Sequence, residues 1–220
     1  MKYRAIATDY DGTLATDGTV DTEIRQSLKR YREAGGHLLL VTGRELSELK
    51  EVFNDLALFD GVIAENGAVF WQPGDEQVQL LAKPLPDEFV SSLIAQNVSP
   101  ISQGQVLVAT WQPHFDVVEQ TITKMGLEAE IILNKRAIMI LPKGVNKKTG
   151  LEVGLTQLQL SPEQVAGIGD AENDRDLLLY CGLGVAVENA LPDLKAIADW
   201  ETKAPRGQGV QELIEWCLGC

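Results

Sequence analysis

Short continuous apolar runs, each closed by a small polar cluster, alternate along this chain with stretches whose apolar residues recur three or four positions apart. The first run, Tyr3 to Thr8, reads as a buried strand and ends at Asp9-Tyr10-Asp11-Gly12-Thr13, where glycine permits a turn. Ile24, Leu28 and Tyr31 then fall at i, i+4 and i+7, one face of a helix that Asp21 or Thr22 can cap and Gly35-Gly36 ends. A second run, His37 to Val41, stops at Thr42-Gly43-Arg44. A helix presenting Leu46, Leu49 and Phe53 follows, and Gly61 to Ala64 makes a third strand before the turn Glu65-Asn66-Gly67. Strands and helices in alternation predict an α/β fold, a Rossmann-like parallel sheet with helices on its faces.

The alternation breaks at Lys83-Pro84-Leu85-Pro86 and resumes after Leu141-Pro142-Lys143-Gly144, so two proline-bearing hinges bracket an insert. Within it the pattern predicts a helix around Phe89 to Ala95, a strand at Val106 to Thr110 and a helix from Pro113 to Met125. Strands at Leu127 to Leu133 and Ala137 to Leu141 follow, joined by a turn at Asn134-Lys135, which makes a small α+β module. Beyond the insert, Leu151, Leu155 and Leu158 mark a helix that Gly150 and Gly154 leave slim on one side. Ser161-Pro162-Glu163-Gln164 carries a helix-start signal, and Val165 to Gly169 is a strand ending at Asp170. A helix through Leu177 and Leu178, a strand from Leu183 to Val187, and a last helix carrying Val210, Leu213, Ile214 and Cys217 complete the pattern.

Composition narrows the function. A chain of 220 residues with 45% hydrophobic content can bury a core of its own. Its 32 acidic residues outnumber 19 Lys and Arg, a formal charge of -13, and a field of that sign repels nucleic-acid phosphates and anionic membranes unless a basic run offsets it. No such run occurs. No apolar stretch of about 18 residues occurs either, and the first apolar run breaks at Asp9, too soon for a signal peptide. The expectation is a cytoplasmic protein with no nucleic-acid or membrane partner. Cys181, Cys217 and Cys220 read as reduced thiols, because Cys217-x-x-Cys220 has no second pair and the histidines are only His37 and His114.

Polar clusters close strands or open helices at Asp9/Asp11, Thr42, Lys147 and Asp170/Asp174. In an open α/β sheet ligands bind outside the carboxyl ends of the strands, so clusters distant in the chain can converge there. Asp9 and Asp11, two apart in an extended segment, point the same way, although Asp-Gly is equally a plain turn after a strand. A capped first turn accounts for Asn173 or Asp174 and leaves Asp170 unexplained. Calcium loops fail on spacing: Gly12 stands fourth rather than sixth, and counting from Asp170 the positions that need Gly and Glu hold Arg175 and Cys181. Hard oxygen donors from both clusters suit Mg²⁺, and Mg²⁺ among carboxylates implies phosphate chemistry. Lys147, beside Lys143 and Lys148, is by itself as readily a solvated helix start, and Thr42 a helix cap. Arg44 reads as a surface or ion-pair residue, and Trp71, Trp111, Trp200 and Trp216 as packing. His114, Asn134, Lys135 and Arg136 read as exposed turn residues within reach of a substrate if the insert closes.

In order, Asp9-Tyr10-Asp11-Gly12-Thr13, Val41-Thr42-Gly43-Arg44, Lys147 and Gly169-Asp170-Ala171-Glu172-Asn173-Asp174 resemble the motifs of the haloacid dehalogenase superfamily of aspartate-nucleophile phosphatases. The resemblance is to its Cof-type branch, with a cap between the second and third motifs, and it spans nearly the whole chain. It implies a hydrolase core of residues 1–82 and 144–220 and an inserted α+β cap, residues 83–143, that closes as a lid over the strand ends. It further implies that Asp9 is the nucleophile, forming an aspartyl phosphate, and that Asp11 protonates the leaving oxygen and later activates water. By the same resemblance Thr42 and Lys147 bind the phosphoryl oxygens. Mg²⁺ is implied on Asp9, the Asp11 carbonyl, Asp170 and Asp174, the last directly or through water. The cap is similar in size to those of archaeal-type phosphoglycolate phosphatases, which points to a small phosphorylated metabolite, an acid or a sugar. A hexose phosphomutase using the same aspartates and a non-enzymatic phospho-receiver switch are the alternatives. Oligomeric state, a homodimer included, stays open.

Overall fold

A computed structural model of the protein describes residues 2–75 and 77–219. The elements are, in chain order, β1 (Ala5–Thr8), α1 (Thr22–Glu33), β2 (His37–Val41), α2 (Leu46–Val52), β3 (Gly61–Ala64), β4 (Val69–Trp71) and β5 (Gln79–Leu80). Next come α3 (Asp87–Ala95), β6 (Ser102–Gln103), β7 (Val108–Trp111), α4 (Phe115–Met125), β8 (Ala129–Asn134) and β9 (Ala137–Pro142). The chain closes with α5 (Lys147–Leu158), β10 (Val165–Gly169), α6 (Arg175–Tyr180), β11 (Leu183–Ala186), α7 (Pro192–Lys195), β12 (Trp200–Glu201) and α8 (Arg206–Leu218).

The continuous apolar runs are the central strands. β1, β3 and β10 are buried along their whole length, as strands covered on both faces must be, and they read without alternation for that reason. The main sheet runs β12-β11-β10-β1-β2-β3-β4-β5, parallel from β12 to β3, with β4 and β5 added antiparallel at one edge. From β1 the chain winds outward through β2 and β3, then returns through α5 to build β10 and β11 on the other side. The winding direction therefore reverses at β1, which is where α/β sheets open a crevice beyond their strand ends. Thr8 lies level with Leu40 on one side and Ile168 on the other, so Asp9, Thr42 and Asp170 emerge from neighbouring strands at the same rim. Gly150 is slim for the expected reason: a Cβ there would stand 2.5 Å from Ile63 and 2.6 Å from Gly67, so α5 can lie hard against β3.

The insert forms its own antiparallel sheet, β6-β7-β9-β8. Its strands alternate. Val108, Ile138 and Ile140 turn to one face and join Phe89, Leu93 and Val118 of α3 and α4 in a separate apolar cluster. Ala109, Met139 and Leu141 turn to the other face and merge with the core of the main domain. One side of the cap sheet is thus closed by helices, and the other is laid over the rim that carries Asp9.

Several sequence expectations are corrected. β1 begins at Ala5 rather than Tyr3. Ser161 and Gln164 do form a capping box, but it holds one 3₁₀ turn, because Val165 is already paired with Ala5 in the sheet. The cap hairpin turns at Lys135-Arg136 rather than Asn134-Lys135. The edge pair β4–β5 and the short elements β6, α7 and β12 lie outside the periodic pattern. Trp200 and Trp216 do pack, with ring centres 5.6 Å apart, whereas Trp111 is 39% exposed and lines the crevice. No helix among the described residues is long and apolar enough to cross a membrane.

One buried carboxylate of the core gathers three backbone donors of the cap. Glu65, 1% exposed, accepts backbone N–H bonds from Gln105 (2.9 Å), Val106 (2.8 Å) and Leu107 (2.9 Å) of the cap. Gly104 has no side chain because a Cβ would stand 2.6 Å from the Glu65 carboxylate carbon. Truncation would leave the buried N–H groups of Val106 and Leu107 without acceptors, with the Gln105 N–H free to turn to water, so Glu65→Ala should lower unfolding free energy by about 3 kcal/mol. It should also speed hydrogen exchange at Val106 and Leu107. Urea unfolding with exchange read by mass spectrometry tests both, and unchanged protection at those amides would remove the fastening role.

Cys181 is buried and its thiol is pushed up to about 12 by that burial. It should therefore resist alkylation in the native protein at pH 8 and label on unfolding, as read on the peptide that contains it. Labelling at the rate of a free thiol in the native state would show this site to be open. Cys220, one half of the C-x-x-C, lies outside the described residues.

Candidate active site

Asp9 sits one residue past β1, its N–H bonded to the Ile168 carbonyl of β10 (3.0 Å). Lys147 opens α5 behind an Asn146–Thr149 capping box and is fully buried. Its ammonium donates to Asp9 Oδ1 and to Asp174 Oδ1, both at 2.6 Å. The other oxygen of Asp174 accepts the N–H groups of Asp170 (2.9 Å) and Ala171 (3.0 Å). Both oxygens of Asp174 are therefore engaged, one by Lys147 and one by the turn it stabilises. Gly169 makes that turn possible, since a Cβ there would stand 2.4 Å from the Asp174 carboxylate carbon.

Asp170 accepts from Thr13 Oγ1 at 3.4 Å and from Lys135 Nζ at 2.7 Å. Lys135 belongs to the cap hairpin, and its backbone N–H also bonds Glu172 at 2.8 Å, so this turn reaches across into the core. Gly12, with φ of +82°, passes so close that a Cβ would meet Asp170 Oδ2 at 2.4 Å. Left-handed backbone and close approach both require glycine there.

Three carboxylates, Asp9, Asp170 and Asp174, offer oxygens within 4.8 Å of one another, the one such ligand group among the described residues. Burial pushes Asp9 up to about 8; Lys147 opposes that shift, and the carboxylates of Asp174 and Asp170 add to it. Asp170 is also raised, by burial first, with Lys135 holding it back. Burial works against the Lys147 ammonium, yet Asp174 and Asp9 more than offset it and hold the proton above the usual lysine range. Three carboxylates thus share two ammonium groups, Lys147 and Lys135, and the upward shift of Asp9 shows that ionising all three is costly without a further cation. The donors of the cluster are all hard oxygens, with a side-chain-free Gly12 against one of them, which fits a divalent cation such as Mg²⁺.

Asp11 is placed differently. It lines the same cavity as Asp9, but its side chain is 41% exposed and pairs with Arg44 through two bonds of 2.6 and 2.7 Å. Those bonds raise the Arg44 guanidinium above its usual range, and Glu48 adds to the effect. Arg44 is the ion-pair residue expected, and its partner is Asp11 itself. Thr42 is buried at the end of β2, with its hydroxyl oxygen accepting the Arg44 N–H at 3.1 Å. Beneath the loops, Asn173 donates to Asn66 Oδ1 at 3.0 Å, leaving Asn173 Oδ1 and Asn66 Nδ2 without partners among the described residues.

Asp9, Lys147, Asp170 and Asp174 therefore meet, Thr42 stands one strand away, and Asp11 faces the cavity from its Arg44 clamp. Lys135 is not merely an exposed turn residue. Its position at the tip of a short hairpin was the only sequence signal for that reach.

The sequence pattern of haloacid dehalogenase-like hydrolases matches residues 6–100 and 95–214. The chain belongs to that family. It is 30% identical to the phosphoglycolate phosphatase of Methanothermobacter thermautotrophicus over 98% of this chain and 99% of that one. Identity is again 30% to the phosphoglycolate phosphatase of Metallosphaera sedula, over 98% and 99% of the two chains. Among solved structures it matches the HAD subclass IIB sugar phosphatase BT4131 with a TM-score of 0.79 at 20% identity, over 97% of this chain and 98% of that one. A haloacid dehalogenase-like hydrolase from Bacteroides thetaiotaomicron gives 0.81 at 22% identity, over 98% and 100%. As a haloacid dehalogenase-like hydrolase the chain is an enzyme, and the phospho-receiver alternative falls.

Proposed function

We propose that this hydrolase is a Mg²⁺-dependent phosphatase that cleaves a small phosphorylated metabolite through an aspartyl phosphate. The observation that carries the reading is Asp9 lining a cavity of about 250 Å³, with the Lys147 ammonium and two further carboxylates against it. The curated relatives named as phosphoglycolate phosphatases support it.

Asp9 attacks phosphorus, forming the O–P bond as the bond to the leaving oxygen breaks, and Asp11 gives that oxygen a proton. Asp11 then takes a proton from water, which attacks phosphorus and releases Asp9 and inorganic phosphate. Dividing one displacement into two keeps each in line. Lys147 aims Asp9 and opposes its protonation, and its remaining N–H and the Thr42 hydroxyl are the donors for phosphoryl oxygens. Arg44 holds Asp11 at the cavity wall until a substrate competes for it. Asp9, the Asp11 carbonyl, Asp170 and Asp174, the last directly or through water, would hold Mg²⁺. When bound, the ion offsets charge on the transferring phosphoryl group.

Phosphate release from a panel of sugar phosphates, phosphoglycolate and nucleotides, measured with Mg²⁺ and with chelator, tests the reading. We expect Mg²⁺-dependent release from small monoesters. Isomerisation of a hexose phosphate without release would assign the chain to the mutases, and turnover indifferent to chelation would overturn the metal site.

A further inference from the structure

Beyond Asp9 the cavity is walled on the core side by Arg44, Glu45 and Glu48, and on the cap side by Ser102, Leu107, Ala109, Trp111, Asn134, Ala137 and Met139. The charges along it are unequal. Asp9 is matched by Lys147, and Asp11 occupies the Arg44 guanidinium with two bonds. Neither Glu45 nor Glu48 forms an ion pair among the described residues, although Glu48 also acts on the Arg44 guanidinium, and no cation of the cap lines this cavity. Glu45 is half-buried, and its carboxylate is fixed by the Ser102 hydroxyl, a bond from core to cap that holds it in the wall. Glu48 is exposed and more strongly screened.

We infer that Glu45, assisted by Glu48, makes the leaving-group end of this cavity anion-excluding. The enzyme then takes monoesters whose alcohol portion carries hydroxyl or ammonium groups and rejects those bearing a carboxylate. The inference rests on the phosphatase reading and sharpens it. The phosphoryl end of the substrate meets Lys147, while the far end meets uncompensated carboxylates, so a second anion there is repelled and a hydroxyl or ammonium donor is bound. Trp111 and Met139 give that end an apolar side against which the C–H face of a short polyol fits. The substrate class inferred is thus unlike phosphoglycolate, for which the two relatives are named. A neighbouring cavity of about 550 Å³ shares Asp11, Trp111, Asn134 and Ala137 with this one and carries Lys135, Arg136 and Arg206, but Asp9 does not line it.

Esters with a two-carbon alcohol portion isolate the charge: phosphoglycolate (carboxylate), 2-hydroxyethyl phosphate (neutral) and phosphoethanolamine (ammonium). We expect kcat/KM for phosphoglycolate to lie at least roughly tenfold below that of the neutral ester. Glu45→Gln keeps an acceptor for Ser102 while removing the charge, and the pair Glu45→Gln with Glu48→Gln should bring the ratio within about threefold by raising phosphoglycolate turnover. Glu48→Gln alone, at an exposed position, should move the ratio in the same direction by a smaller factor. Phosphoglycolate turnover equal to the neutral ester, a ratio unmoved in the double variant, or a selective loss of phosphoglycolate turnover in Arg136→Gln with Arg206→Gln would each overturn the inference. Binding of the same esters to Asp9→Asn by calorimetry separates the two readings. If the wild type hydrolyses none of them nor any member of the wider panel, the phosphatase reading fails, and the order of Kd values still decides whether this wall excludes anions.

Discussion

Asp9→Asn is expected to lower kcat by at least ~10⁴-fold, because an amide cannot form the acyl phosphate that divides the displacement into two steps. The fold should survive the change. Asn is isosteric, its oxygen can still accept from Lys147 at the position now 2.6 Å away, and one of the crowded buried carboxylates becomes neutral. Without divalent cation the variant should therefore be as stable as the wild type or slightly more so. With cation it should gain less, since a ligand has been lost. Single-turnover phosphate release and paired melts with and without Mg²⁺ read both effects. Turnover within tenfold of wild type would dismiss Asp9 as nucleophile; a large loss of stability without cation would dismiss the charge account of the cluster.

The second large effect belongs to Lys147. It is fully buried and is the cation shared by Asp9 and Asp174, so Lys147→Met leaves two buried carboxylates facing each other without it. Removing one partner of a buried ion pair costs about 3–5 kcal/mol. For a domain of this size that is a fall in melting temperature of roughly 10 °C. Mg²⁺ should restore part of the stability, by supplying positive charge to the same carboxylates, and none of the activity lost with the phosphoryl donor. Urea unfolding across a Mg²⁺ titration, with turnover measured alongside, is the check. An unfolding midpoint equal to wild type without metal would mean that the lysine is not what holds Asp9 and Asp174 together.

Much of this arrangement was legible before any coordinates. Leu38 to Val41 and Val165 to Gly169 are apolar without interruption, as strands covered on both faces read. Asp9, Thr42 and Asp170 follow such runs directly, so their meeting at one rim follows from strands being parallel and level. The two-residue strands β5, β6 and β12 were not legible, since a period cannot be seen in two positions. In the sequence Glu65 reads only as part of a turn. Its three acceptor bonds join residues about forty positions away, and nothing local in Glu-Asn-Gly announces them.

The sequence by itself determined which segments are buried, that strands alternate with helices, and which acidic and basic side chains stand at strand ends, because burial and periodicity act on neighbouring residues. Only the tertiary structure decided how the charges pair: Lys147 with Asp9 and Asp174, Arg44 with Asp11, Lys135 with Asp170, and Glu45 with a cap hydroxyl rather than a cation. Several carboxylates and cations of this chain are chemically equivalent as partners. Coulombic attraction has no sequence register, so the seating of the cap on the sheet rim selects among them.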